Sequence, residues 1–461
     1  MSLAKLSTAD QAWVRRMNRA IILEVFRTHR TLSRARLASE TGLNPSTVSS
    51  IIGELIQENF IRETDLIQSS TGRPGRLLEL NPGGGCALGI EVNVDYIEFL
   101  VTDFAANVLW RQRQASTPDV GQDVIIQHVL QLTKLVKTFI QECNFRLLGV
   151  GVGVPGLVDV SSGLLRVAPN LHWVDVPIRD VLAGHFDCPI YVENEANAAA
   201  LGEYYFGAAR NVKDFIYLSS GVGLGSGIVI GGKLFRGMFG YAGEAGHMTL
   251  DIHGDLCGCG KRGCWETFVG PRAVEQRVRR SLVSGEKSML HDMAKGDLQN
   301  IVFDDVVHAA QAGDQIAIDA LGEVAFYLGI GIANLVNLFN VEVIVLGGAL
   351  NTASSILLRD VERVVFANTL APGREHLRII PSAHGTDACR ASWIALALRL
   401  TSPQEKRNAP RETNVWPLLN LRPRPPLQRQ RGGRPPQRDR RSPTFRKSRR
   451  SRISSPIAKC C

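Results

Sequence analysis

Three glycine-rich turns, each closing a short apolar run, set the architecture of the middle of this 461-residue sequence. "RLLGVGVGVPGLVDV" carries Gly151, Gly153 and Gly156; "DFIYLSSGVGLGSGIVIGGKLF" carries Gly221, Gly223, Gly225 and Gly227; "VEVIVLGGAL" carries Gly347 and Gly348. Short apolar runs bounded by glycine predict strands, and the longer helical stretches between them predict an α/β body. Glycine turns after strands let backbone N–H groups close on a phosphate or a sugar, but they also serve plain strand-to-strand turns.

The first eighty residues have a different texture. In "RRMNRAIILEVFRTH" the residues Ile21, Ile22, Val25 and Phe26 form one stripe at helical spacing. A second helix is predicted from Ser33, a plausible N-cap, to Gly42, a turn residue. A third opens at Asn44 as N-cap with Pro45 in the first helical position, where its missing N–H is no loss. Val48, Ile51, Ile52 and Leu55 are then expected inside. Asn44, Ser46, Thr47, Ser49 and Ser50 fall near the helix start or on its outer face, where a recognition helix presents short hydrogen-bonding groups to bases and phosphates. "FIRETDLIQSSTGRPGRLLEL" has apolar ends around a Gly/Pro/Arg tip, the pattern of a two-stranded wing, with Arg73 and Arg76 expected at the tip to reach phosphate or minor groove. Residues 12–80 thus predict a winged helix-turn-helix that binds DNA. The competing reading is a three-helix protein-binding module, but capping, polar face and basic wing agree on DNA.

"HMTLDIHGDLCGCGKRGCWE" packs Cys257, Cys259 and Cys264 into eight residues, ten after His247 and just before Glu266. The first residues show no basic-then-apolar start before a small-residue cleavage site, and no glycine-free apolar run approaches the roughly 20 residues of a membrane span. The expected compartment is the cytoplasm, where thiols stay reduced. Three thiolates and one imidazole are the soft set that structural zinc prefers. A redox pair (Cys257/Cys259 or Cys259/Cys264) and unliganded buried thiols compete with it, although a C-x-C bridge is strained.

Charge separates off the C-terminal end. From Pro403 to Cys461 the sequence holds 17 of the 53 Lys and Arg but only 3 of the 44 Asp and Glu, so the net +9 becomes −5 over the rest. Residues 403–461, rich in Pro and Arg and poor in apolar residues, are expected to stay disordered and to cling at most loosely to polyanions. An out-of-frame or fused coding end is the equal alternative for their origin.

The order of the glycine turns, "VENEANAAALGE", the C-x-C-G-x-x-G-C-x-E block from Cys257 to Glu266 and the G-x-x-x-x-E-x-G-H block ending at Glu244 and His247 together resemble the ROK (repressor, ORF, kinase) family. With the winged helix in front, the sequence resembles its repressor branch, the xylose and N-acetylglucosamine repressor type. The resemblance spans residues 85–400 and implies a two-lobed, actin-like fold of the sugar kinase and Hsp70 kind, with ligand in the cleft between lobes. It favours zinc on His247, Cys257, Cys259 and Cys264. It further implies sugar contacts from Asn170, Asn194, Glu195, Glu244, His247 and Glu266, carboxylates being strong acceptors for vicinal hydroxyls, and a homodimer or higher homo-oligomer.

Kinases of the family carry an Asp base after the Asn of E-N-D-A-N, and Glu195 stands there instead. A shift of about an ångström can cost about a hundredfold in rate. Where they read D-x-G-G-T this sequence has "EVNVD", with Glu91 for the Asp, Asn93 and Val94 for the glycines and Asp95 for the threonine; Val222 replaces a second threonine. A carboxylate repels the phosphate that a hydroxyl would cradle. No catalytic residue is therefore assigned. The expectation is a sugar-responsive regulator, a repressor binding operator DNA with no membrane partner. A sugar kinase with an added DNA-binding domain is the alternative, and control by a protein partner a third reading.

Overall fold

The computed structural model describes residues 11–67, 75–210, 212–370 and 373–384. The expected wing tip with Arg73 and the basic segment 403–461 lie outside the described residues.

The first unit runs α1 (Gln11–Thr28), β1 (Thr31–Ser33), α2 (Arg34–Thr41), α3 (Pro45–Gln57), β2 (Ile61–Ile67) and β3 (Gly75–Leu80). Its helix ends are written in the sequence. Ser33 accepts the Arg36 N–H at 3.3 Å, Gly42 ends α2 at φ +66°, and Asn44 accepts the Ser46 N–H at 3.0 Å with Pro45 following. Ile22, Leu23, Phe26, Leu37, Val48, Ile51, Ile52, Leu55 and Leu78 form one sealed core. Two details differ from the sequence reading. Ile21 lies on the flank of α1 and is exposed, its inward place taken by Leu23, because residues 22, 23 and 26 share the helix face that meets α2 and α3. The wing gains a third strand, β1, paired antiparallel to β3.

The body follows as β4 (Cys86–Val92), β5 (Tyr96–Asp103), β6 (Val108–Ala115), α4 (Gln122–Glu142), β7 (Leu147–Val154), the small sheet β8 (Leu157–Asp159), β9 (Leu164–Ala168) and β10 (Trp173–Val176), then α5 (Ile178–Ala183), β11 (Ile190–Asn194) and α6 (Glu195–Phe206). A second lobe adds β12 (Phe215–Ser220), β13 (Leu224–Ile230), β14 (Lys233–Leu234), α7 (Glu266–Val269), α8 (Pro271–Val283), α9 (Leu290–Met293), α10 (Phe303–Gln311), α11 (Gln315–Phe339), β15 (Val343–Gly348), α12 (Ala349–Thr352), α13 (Ser354–Asn368) and β16 (Arg378–Pro381). Each lobe is built on a five-stranded sheet. The orders β6-β5-β4-β7-β11 and β14-β13-β12-β15-β16 are the same topology: an antiparallel meander whose first strand is extended by two parallel strands. Each lobe has its own apolar cluster.

Helix α11 is apolar and long enough by composition to cross a membrane, yet 61% of its most apolar window is buried inside the protein. It packs beside α8, α10 and α13. At Gly331 an added Cβ would stand 2.1 Å from the Trp265 indole, so the glycine is the notch that receives that ring. The Trp265 N–H donates to the Tyr327 carbonyl at 3.0 Å.

Candidate metal centre and interlobe cleft

After β14 the chain leaves regular structure. A short 3-10 turn, Ala245–His247, delivers His247, and isolated bridges at Thr249–Cys264 and Leu256–Arg262 close the cysteine loop. The Cys257 N–H donates to the Lys261 carbonyl at 2.8 Å, and the Gly260 N–H to that of Cys257 at 2.9 Å. Gly263 adopts φ +64°, and a side chain there would meet the Asp251 carbonyl at 1.5 Å, so the loop closes only around glycine. Trp265, fixed in its α11 notch, anchors the end of the loop.

The four candidate donors converge. Ligand atoms of His247, Cys257, Cys259 and Cys264 all lie within 4.8 Å of one another. Cys257 Sγ is 3.6 Å from His247 Nδ1, and Cys259 Sγ is 3.6 Å from Cys264 Sγ. Tetrahedral zinc with ordinary bond lengths sets donors about 3.6 Å apart for S and N and about 3.8 Å for two sulfurs, so the set fits such an ion. Burial pushes the Cys257 and Cys264 thiols up. At Cys259 burial also acts upward, but hydrogen bonds involving Lys261, Cys257 and Cys264 outweigh it and leave the thiol below its ordinary value.

A cleft of about 1090 Å³ opens beside this loop. It lies at the carboxyl ends of the parallel strands, marked by Glu91 on β4, Asn194 on β11, Ser220 on β12 and Gly348 on β15, which is where open α/β sheets place ligands. The six expected sugar contacts, Asn170, Asn194, Glu195, Glu244, His247 and Glu266, all line it, together with Cys259. Asn194 caps α6, accepting from the Ala196 and Asn197 N–H groups, while its amide donates to the Gly156 carbonyl and to Glu195 Oε2, both at 3.1 Å. Asn170 rides on the 3-10 turn Pro169–Leu171 and comes so near Gly258 and Gly223 that added Cβ atoms would lie 3.1 and 3.4 Å from its amide. Glu266 Oε2 accepts the Leu224 N–H at 3.3 Å, and a Cβ on Gly223 would stand 2.6 Å from that oxygen.

The cleft is rich in carboxyl groups. Burial, with the charges of Glu244 and Glu91 nearby, pushes Glu195 up to about 8. Burial also raises Glu244, against the pull of His247. Burial also pushes Glu91 up to about 7, although its Oε1 accepts from Tyr96 Oη at 2.7 Å and from the Asn93 amide at 2.8 Å. The Arg113 guanidinium lies over the Tyr96 ring at 3.5 Å.

On the winged helix, Asn44, Ser46, Ser49 and Ser50 are exposed and Thr47 half-buried. Ser50 Oγ accepts from Arg15 at 2.8 Å and Ser46 Oγ donates to Asn44 at 2.8 Å. Arg76 is not at a tip. It sits within β3 opposite Leu66 and pairs with Glu63, which also takes Arg34 at 2.8 Å. The sequence reading also passed over Glu193. This carboxylate is 1% exposed, accepts from Arg236 at 2.7 Å, and joins the end of β11 in one lobe to the segment after β14 in the other. An acid closing an apolar strand was a signal for a buried partner; that the partner lies 43 residues away was not legible.

A family model described as the ROK family matches residues 87–399. The chain belongs to the ROK family. A second model, the IclR helix-turn-helix domain, matches residues 20–65, in front of the ROK body. The xylose repressor of Bacillus subtilis strain 168 is 33% identical over 386 residues, covering 83% of this chain and 95% of that protein. The solved structure of a ROK family transcriptional regulator, described as a homolog of the E. coli MLC protein, superposes with a TM-score of 0.72 at 28% identity over 84% of this chain and 96% of its own. A ROK glucokinase from Streptomyces griseus, solved with glucose and AMPPNP, gives 0.61 at 29% identity but covers only 68% of this chain while 99% of the kinase is matched. The ROK body is thus common to regulators and kinases, and the added N-terminal unit is what the regulator shares.

Proposed function

We propose that this ROK protein is a sugar-responsive transcriptional repressor that binds operator DNA through its winged helix and is modulated by a sugar in the interlobe cleft. The observation that carries this reading is the composition of the cleft lining. It keeps Asn170, Asn194, Glu244, His247 and Glu266, whereas Asp95 and Val222 stand in it at the positions where kinases of the family carry threonines. An ATP γ-phosphate would meet negative charge where catalysis requires donors and hydroxyls. Residues 12–80 form the DNA-binding unit and residues 85–400 the sugar-binding body. The DNA-facing groups are Asn44, Ser46, Thr47, Ser49 and Ser50 on α3, with Arg73 from the wing.

Zinc on His247, Cys257, Cys259 and Cys264 would supply structural rigidity to the loop that holds Glu266 and His247 beside the sugar. Glu266, Glu244 and Asn194 accept or donate to hydroxyls. Glu195, at the kinase base position, serves as a further contact. The protein works in the cytoplasm as a homodimer, so its operator is a palindrome with half-sites about 10 to 10.5 base pairs apart or multiples of that.

The deciding experiment pairs a thermal-shift panel of D-xylose, D-glucose and N-acetyl-D-glucosamine with a coupled kinase assay and a DNA mobility-shift titration. A sugar that raises the melting temperature by mass action and changes DNA affinity without ADP release supports the reading. Turnover that is abolished by Glu195→Gln would overturn it in favour of a kinase. An unchanged DNA affinity at saturating sugar would favour control by a protein partner.

A further inference from the structure

Helix α6 has one end in the cleft and the other against the winged helix. Its N-terminal residues Glu195, Ala196 and Ala199 line the cleft, and Asn194 caps it there. Twelve residues later, about 18 Å along its axis, Phe206 packs against the winged-helix core and, at the same time, against the apolar cluster formed by α6 with β12, β13 and β15. Helix α1 lies against α6.

The helix between these ends has little freedom to move on its sheet. Cβ atoms on Gly225 and Gly227 of β13 would stand 2.8 Å from the Ala196 methyl and 2.5 Å from that of Ala200, so backbone and helix are in close contact at two successive turns. Glu203, 1% exposed, accepts from Ser382 Oγ and from the Ala208 N–H at 2.6 Å, fixing the C-terminal turn. Although the chain enters α6 from β11 of the first lobe, the body of the helix is seated on the second lobe's sheet.

The winged helix also has a seat on the first lobe. Phe60 stacks obliquely on Phe104 at 4.9 Å, the Arg146 guanidinium lies 5.7 Å from the Phe60 ring, and a Cβ on Gly84 would meet the Asn59 carbonyl at 2.7 Å. Leu148, on β7, closes the same cluster. The DNA-binding unit thus rests on both lobes, through Phe104 and Leu148 on one and Phe206 on the other.

We infer that α6 is the element that carries the state of the cleft to the DNA-binding unit, with Phe206 as the positioning residue at its output end. Any change in the relative placement of the lobes shifts Phe206 against the seat at Phe104, and α1 must follow one or lose contact with the other. This rests on the proposed reading that a sugar in the cleft alters DNA affinity.

The test uses the full-length protein, whichever sugar of the panel gives the largest wild-type melting shift, and a duplex of about 30 base pairs enriched from a random pool by sugar-free protein. Three quantities are measured for wild type and Phe206→Ala: sugar Kd, the ratio of DNA Kd with and without sugar, and sugar-induced change in hydrogen exchange over Gln11–Thr28. The variant is expected to keep its sugar Kd within about threefold while the DNA ratio falls to within about twofold of one, against the 5- to 150-fold typical of coupled sites. Its α1 exchange should no longer respond to sugar. Phe206→Leu, which keeps the position apolar, is expected to give an intermediate ratio and decides the matter if the alanine variant does not fold. A wild-type ratio in the folded variants, or wild-type α1 exchange that ignores bound sugar, overturns the inference. Sugar-responsive α1 exchange in wild type, lost in Phe206→Ala but with DNA affinity unmoved throughout, would uphold the lever while the repressor reading falls.

Discussion

The Sγ of Cys257 lies 2.8 Å from Oε1 of Glu266. One carboxylate therefore touches the candidate metal centre with one oxygen and, through its other oxygen on the Leu224 N–H, the floor of the cleft. Loss of the metal should therefore also disturb the proposed sugar contact of Glu266, which is not itself one of the four candidate metal donors.

The purified protein is expected to carry about one zinc per chain. Cys259→Ser should lose most of it by elemental analysis and lose the sugar-induced melting shift as well. Loss of zinc with an intact shift would reduce the loop to a remote structural staple.

Gly223→Ala tests the sugar site without touching the metal donors. The backbone there accepts alanine, but its methyl would stand 2.6 Å from Glu266 Oε2 and push the carboxylate aside. Losing a hydrogen bond to a charged group is worth about 1.5–3 kcal/mol, so sugar affinity measured by calorimetry should fall roughly 10- to 150-fold. Zinc content should not change.

Glu195 gives a pH signature. Its carboxyl, ordinarily near 4.5, is pushed up to about 8 by burial first and then by neighbouring acids. The folded state keeps a proton that the unfolded chain has already released, so this position's stabilisation is complete below about 4.5 and is lost as pH rises to about 8. Glu195→Gln has no proton to lose. Its melting temperature relative to wild type should climb between about pH 5 and pH 8.5, by about 2–4 °C per kcal/mol. A constant difference across that range would mean that the carboxyl is ionised throughout.

The Arg236–Glu193 pair predicts a rescue. Removing Arg236 breaks a 2.7 Å ion pair to a carboxylate that is 1% exposed, and a broken buried pair costs about 3–5 kcal/mol. Arg236→Ala should be destabilised to that extent in denaturant melts, and adding Glu193→Gln should recover more than half. Equal stability of single and double variants would show that leaving Glu193 without Arg236 carries no such cost.

Local features were the legible ones. Ser33, Gly42, Asn44 and Pro45 announce their helix ends because capping depends on residues a few positions apart, and the His247 and cysteine donors lie within eighteen residues of one another. The equal strand order of the two sheets was not legible, since it rests on pairings such as Phe215 with Val343 that no local pattern encodes. Arg76 was misplaced for a related reason: its partner Glu63 lies across the hairpin, and the register that brings them together includes a bulge between Glu63 and Leu66. The proposed sugar contacts rest on family resemblance, because an isolated Asn or Glu carries no mark of its neighbours.

Two sheets of identical strand order, each with its own apolar cluster, make the molecule a pair of rigid jaws whose mouth is supplied by topology alone. If the cleft closes on a sugar as proposed, this paired architecture needs no turnover to be useful: the arrival of a small neutral molecule would become mechanical displacement, the raw material of a switch.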